Sequence, residues 1–226
     1  MRRGLVSEVF VTESAMARFG SLLTGVPVHS VTERAAKALS DTVTPVGLVA
    51  VCSVPETTLA DVLARAPRLI AVAVGISEPG NAGTLIRVAD AMAVDAVVLA
   101  GQSVDPYNGK CLRASAGSIF SIPVVIEADA IAAVTAVSNA GLQVLATTVD
   151  GEVGLDTADL ARPTAWLFGP EAHGLPAELA DTATHRVRIP MPGSAESLNV
   201  AAAAAICLYQ SARAHRAKTT APWRRG

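Results

Sequence analysis

Short apolar runs alternate with helically spaced stretches along almost the whole chain. In its first part, apolar runs at 6–11, 26–28 and 46–52 predict strands, and the stretches at 13–23 and 33–39 carry the helical period. The segment Ser53-Val54-Pro55-Glu56-Thr57-Thr58 breaks both periods, because proline and small polar residues support neither, and predicts a linker. Residues 59–66 read as a short helix leading into a second, more regular unit. There the runs at 69–74, 96–99, 122–126, 142–146, 165–168 and 187–189 predict strands. Their continuous apolar character is what a strand covered on both faces requires. Helical spacing occurs at 81–93, 110–114 and 128–140. A final alanine-rich helix from 198 to about 214 is apolar on nearly every face, which predicts burial and a close approach of another helix, as in a subunit contact. Strands alternating with helices imply an α/β fold with a mostly parallel sheet. Ligands in such sheets bind outside the carboxyl ends of the strands.

Composition narrows the chemistry. With 51% hydrophobic and 17% charged residues among 226, the chain has ample material for a core, and its net charge of −2 provides no global field for nucleic acid. RNA contact must therefore use local basic clusters. The tail is one: Arg213, His215, Arg216, Lys218, Arg224 and Arg225 occur with no acid among them, and read first as a solvated, frayed terminus. Cys52, Cys111 and Cys207 lie far apart with no C-x-x-C pair, so neither a disulfide framework nor a metal site is suggested. No apolar run reaches the roughly 18 residues of a membrane span, so the cytoplasm is expected.

Three loops at predicted strand ends carry the candidate chemistry. The first, from Ser77 to Arg87, follows the strand at 69–74 and opens a helix, with Asn81 fitting as its N-cap and Gly83 permitting close backbone approach. Arg87 sits in an otherwise apolar helix and needs an anionic partner: Asp90 or Glu78 within the chain, or a phosphate held bidentately. The second loop, from Leu167 to Leu175, delivers a glycine, Glu171, His173 and a second glycine, and matches neither a dinucleotide fingerprint nor a P-loop. The third, Ile189-Pro190-Met191-Pro192-Gly193-Ser194-Ala195-Glu196-Ser197-Leu198-Asn199-Val200, ends a strand with prolines and glycine. It then sets a carboxylate, a hydroxyl and an amide at the mouth of the last helix, where backbone N–H groups are unpaired. A parallel sheet gathers all three on one edge.

Asn81-x-Gly83-x-x-x-Arg87, Phe168-Gly169-x-Glu171-x-x-Gly174-Leu175 and Ile189-Pro190-Met191-x-x-x-x-Glu196-Ser197-Leu198-Asn199-Val200 resemble, in order and spacing, the three motifs of the SpoU (TrmH-like) RNA ribose 2′-O-methyltransferases. Asp105-Pro106 with Lys110, Arg113, Ser115 and Gly117 is similar to a further stretch of that family. The resemblance covers residues 67–216, with 217–226 as a basic tail. It implies an α/β fold with a mostly parallel sheet, a deep C-terminal trefoil knot that binds S-adenosylmethionine, and a homodimer. It assigns cofactor contacts to Thr147, Gly169, Ile189, Met191 and Leu198, and catalytic or structural polar roles to Asn81, Arg87, Glu171, Ser197 and Asn199. Arg87, Lys110 and Arg113 are the implied RNA contacts. Residues 1–54 resemble the later part of the family's ribosomal-protein-like substrate-binding domain, which implies a small α/β unit that is either reduced or read from a start assigned late.

The implied reaction moves a methyl group to a ribose 2′-hydroxyl. A guanidinium holds its proton too tightly to be a good base, so the expectation is that Arg87 grips the 3′-phosphate while phosphate or water takes the proton. Ribosomal RNA, specifically 23S, is favoured over transfer RNA because of the N-terminal unit. A catalytically silent RNA-binding module on the same scaffold is the alternative, against which the joint presence of Asn81, Arg87, Glu171 and Ser197-Leu198-Asn199 argues. A nicotinamide-dependent enzyme lacks its glycine motif.

Overall fold

The computed structural model describes residues 4–170 and 174–218. The chain divides into two units, Met1–Glu56 and Thr57–Gly226. In the first, strand β1 (Val6–Val11) is central, with β2 (Val28–Ser30) parallel on one side and β3 (Leu48–Cys52) antiparallel on the other. Helix α1 (Glu13–Phe19) joins β1 to β2, and α2 (Glu33–Ala38) follows β2. Both helices start where a threonine accepts a backbone N–H three residues on: Thr12 from Ala15 and Thr32 from Ala35, each at 3.2 Å. Residues 20–22, expected as helix, form a 3₁₀ turn that continues α1. Val9, Val11, Ala15 and Leu23 make a small core.

The second unit follows the alternation predicted. Its elements are α3 (Leu59–Leu63), β4 (Leu69–Val74), α4 (Pro79–Ala91), β5 (Ala96–Ala100), α5 (Gly109–Ala114), β6 (Val124–Glu127) and α6 (Ala130–Asn139). There follow β7 (Gln143–Thr147), β8 (Val153–Gly154), β9 (Thr164–Phe168), α7 (Ala177–Asp181), β10 (His185–Arg188) and α8 (Val200–Lys218). The seven strands order as β6-β5-β4-β9-β7-β10-β8. Each adjacent pair runs parallel. The connection from β6 crosses to the far side of β4, and the later strands β9 and β10 enter between strands already in place.

Alternate residues of each central strand supply two cores. Leu69, Ala71 and Ala73 of β4, with Trp166 and Phe168 of β9 and Leu145 of β7, face α4, α5 and α8. Ile70, Val72 and Val74, with Ala165, Leu167, Val144 and Ala146, face α3, α6 and α7. This two-sided burial explains the unbroken apolar runs.

Helix α8 differs from its expectation in two ways. It runs on to Lys218 rather than ending near 214. It also buries one face, through Ala201, Ala204, Cys207, Leu208 and Ser211, while Ile206 and Tyr209 stay 37% and 54% exposed. Apolar composition on all sides cannot say which faces the chain's own sheet covers. Its seat is fixed by a hydrogen bond from Trp166 Nε1 to Ser211 Oγ, 2.9 Å long and wholly buried. Among the described residues, no helix is long and apolar enough to cross a membrane.

Ser211→Ala leaves the indole N–H buried without a partner. The expected cost is about 1–3 kcal/mol, read as a lower denaturation midpoint in urea. Unchanged stability would show that this bond does not seat α8.

Candidate functional site

A cavity of about 460 Å³ opens at the carboxyl ends of β7, β9 and β10 and the start of α8. The end of β7 and the turn after it contribute Thr147, Thr148, Val149 and Asp150; the segment after β9 contributes Gly169, Pro170, Gly174 and Leu175. The segment after β10 contributes Ile189, Met191, Ser197 and Leu198, and α8 adds Val200 and Ala203. Parallel strands put all these connections on one sheet edge, so residues up to 56 positions apart meet there. Thr147, Gly169, Ile189, Met191 and Leu198, the positions assigned above to a cofactor, all line this cavity.

Local chemistry holds its walls. Thr147 Oγ1 donates to Leu167 O at 2.8 Å, tying the ends of β7 and β9 together. A Cβ on Gly169 would lie 2.5 Å from the Leu175 backbone nitrogen, so only glycine lets the loop fold onto itself. One buried polar atom on the cavity lining, Thr148 Oγ1, has no hydrogen-bond partner among the described residues. Such an atom costs stability unless something supplies a partner.

A second cluster joins the first turn of α4 to the start of α8. Asn199 precedes α8, and its Oδ1 accepts from Ala201 N at 2.9 Å and Ala202 N at 3.3 Å. Its Nδ2 donates to Asn81 Oδ1 at 3.0 Å. Residues from two distant motifs are thus in direct contact at two helix N-termini, where partial positive charge favours anions. Asn81 is not the cap of α4. Glu78 is, accepting from Gly80 N at 3.1 Å, because Pro79 sets the first helical turn two residues earlier than the apolar spacing suggests.

Lys110, at the start of α5, donates to Glu78 Oε1 at 2.6 Å. That bond, with the Gly80 N–H, holds the Glu78 carboxyl below the usual carboxylate range. The cap's charge is therefore intact above the ordinary value and lost as acidification passes the lowered one. Gly83 makes this proximity possible, since a Cβ there would strike the Cys111 carbonyl and stand 2.6 Å from Ala114 Cβ. Arg87 lies exposed on α4, and neither Glu78 nor Asp90 pairs with it. It does not line the cavity. Arg113 is exposed on α5. Glu171 and His173 lie outside the described residues. Burial pushes the Cys111 thiol up to about 11 and raises that of Cys207 as well, so neither offers a thiolate at neutral pH.

Residues 68–209 match the model of the SpoU rRNA Methylase family. The chain is 35% identical over 206 residues to the 23S rRNA (guanosine(2553)-2′-O)-methyltransferase RlmP of Bacillus subtilis (strain 168), covering 91% of this chain and 80% of that one. It is 33% identical over 153 residues to the 23S rRNA (guanosine-2′-O-)-methyltransferase RlmB of Nitrosomonas europaea, covering 68% of this chain but only 59% of the relative. The fold superposes on the SpoU methyltransferase AviRb from Streptomyces viridochromogenes, crystallised with AdoMet, at a TM-score of 0.82 and 29% identity, covering 95% of this chain and 85% of AviRb.

Asn199→Ala removes both the cap and the bond to Asn81, for an expected loss of about 0.5–2 kcal/mol in chemical denaturation. Asn199→Asp keeps the capping oxygens and loses only the donor, so it falls between Ala and the parent. An Ala variant as stable as the parent would show that this pair does not join the helices.

Proposed function

We propose that this chain, which belongs to the SpoU rRNA methylase family, transfers a methyl group from S-adenosylmethionine to a ribose 2′-hydroxyl of RNA, with 23S ribosomal RNA as substrate and the cytoplasm as its place of action. The observation that carries this reading is the cavity at the ends of β7, β9 and β10, lined by every residue that the motif resemblance assigns to the cofactor.

The residues present suit that cofactor. The volume falls in the range of small-molecule sites. The Thr148 hydroxyl, which has no partner among the described residues, can bond a polar ligand. Val149, although 69% exposed, is apolar and lines the cavity. When bound, S-adenosylmethionine supplies an electrophilic methyl group on a sulfonium sulfur. The chain's part is to orient and hold. Thr147, Gly169, Ile189, Met191 and Leu198 shape the cavity, and Ser197 stands on its rim. Asn81 and Asn199 brace the helix starts. A knot in this segment is part of the proposal; entry of β9 and β10 between earlier strands supports it.

An alcohol attacks only as its proton leaves. Arg87 grips the phosphate 3′ to the target ribose with its planar fork, while the phosphate or a water takes the proton. Arg113 adds a backbone contact. A phosphate reaching Lys110 must compete with Glu78. Ribose methylation reads no base at the reacting atom, so target choice falls to RNA shape and to the N-terminal unit.

The exposed stripe of Ile206 and Tyr209 on α8 supports a homodimer through the second unit. Tyr209→Glu is expected to convert dimer to monomer in light scattering. A parent chain that is already monomeric would remove this part of the proposal.

The activity is tested with tritiated S-adenosylmethionine and protein-free 23S ribosomal RNA from a strain lacking the enzyme. Transfer to ribose in the parent, with at least a roughly tenfold lower turnover in Arg87→Lys, is the expected result. Near-full turnover in Arg87→Lys would exclude the bidentate grip. Binding of RNA without transfer would replace the enzyme by a silent binding module.

A further inference from the structure

The turn after β7 was not singled out by any motif, yet it carries three features that belong together. Thr148 Oγ1 is buried and has no hydrogen-bond partner among the described residues. Val149 is an exposed apolar side chain, and Asp150 an exposed carboxylate, with 70% of its side chain accessible. All three residues line the cavity, and Asp150 is the one charged residue doing so among the described residues.

The turn is held tightly against β10. Arg188 Nη1 donates to Gly151 O at 2.7 Å. Arg186 donates its backbone N–H and its Nε to the two carboxylate oxygens of Glu152, at 2.9 and 3.1 Å. Gly151 is packed so closely that a Cβ would lie 2.6 Å from Arg188 N. Asp150 itself is only loosely paired: its Oδ2 is 3.7 Å from Arg186 Nη1, an ion-pair separation beyond a hydrogen bond. A carboxylate so exposed gains little from bare Coulomb attraction, which solvent screens. Its useful capacity is directional, since two oxygens accept from two adjacent donors.

An apolar side chain beside a two-oxygen acceptor, on a pinned turn, matches one kind of ligand surface: a flat heterocycle joined to a vicinal diol. We propose that Thr148–Val149–Asp150 is the nucleoside-specificity element of the cavity, with Asp150 accepting hydrogen bonds from the two ribose hydroxyls of the methyl donor. This rests on the reading of the cavity as a site for S-adenosylmethionine. Asp150 acts as a binding residue and takes no part in methyl transfer.

The experiment is titration calorimetry of the full chain and of Asp150→Ala with three probes. These are S-adenosylmethionine, 5′-methylthioadenosine, which has the nucleoside but no amino-acid end, and 2′-deoxy-5′-methylthioadenosine. The expected result is about a ten- to hundredfold weaker binding of the first two by the variant, with equal factors. The deoxy probe, which keeps only the 3′-hydroxyl, should be weaker on the parent and lose a smaller factor on the variant, because half of the pair is already gone. Asp150→Asn, which keeps shape and one acceptor, should fall between; it serves alone if Asp150→Ala lacks the parent's melting transition. A variant that loses S-adenosylmethionine but keeps methylthioadenosine would place Asp150 at the amino-acid end and overturn the proposal. So would unchanged affinity for all three. A parent chain that binds neither natural nucleoside would remove the cofactor reading itself, and this assignment with it.

Discussion

The second unit depends on one constraint of chain path: β9 must enter between β4 and β7, and β10 between β7 and β8, in a sheet whose neighbouring strands all run parallel. Parallel direction forces every carboxyl end to the same edge. Interleaving then brings together the connections after β7, β9 and β10, which sequence keeps apart. The cavity is the space those three connections leave. Its walls are therefore set by backbone path and by a few enabling residues, such as Gly169 and Gly151, whose lack of a Cβ permits close approach.

The same constraint ties stability to the site. Trp166 and Phe168 lie in the core on one face of β9, and Gly169 follows directly in the cavity wall. Helix α8 is seated on that core through Trp166 and Ser211. Its first turn supplies Val200 and Ala203 to the cavity, while Asn199 ties the same turn to α4. Damage to α8 packing should thus disturb the cavity as well as the fold.

Much of this was legible in the chain. The run at 69–74 reads directly as β4 because a strand buried on both faces leaves no polar interruption. The motif resemblance gathered Asn81 and Asn199 into one set of polar positions, and their side chains lie 3.0 Å apart. Other features were illegible for physical reasons. The strand Val153–Gly154 is two residues long and exists only through its pairing with β10. Helix α7 is five residues, too short for a period to show. The start of α4 was misplaced because Asn81 is the better cap by type, whereas Glu78 is supported from Lys110, 32 residues away. The turn at Thr148–Asp150 carries no pattern, and its interest comes wholly from what the fold sets around it.

Hydrogen–deuterium exchange of the full chain, with and without S-adenosylmethionine, tests the central claim most directly. The account predicts slowed exchange in three separated peptides, those spanning 147–151, 169–175 and 189–203, with the remaining backbone little changed. Protection confined to a single one of these segments, or appearing in the N-terminal unit instead, would contradict a site formed by convergence of the three strand ends.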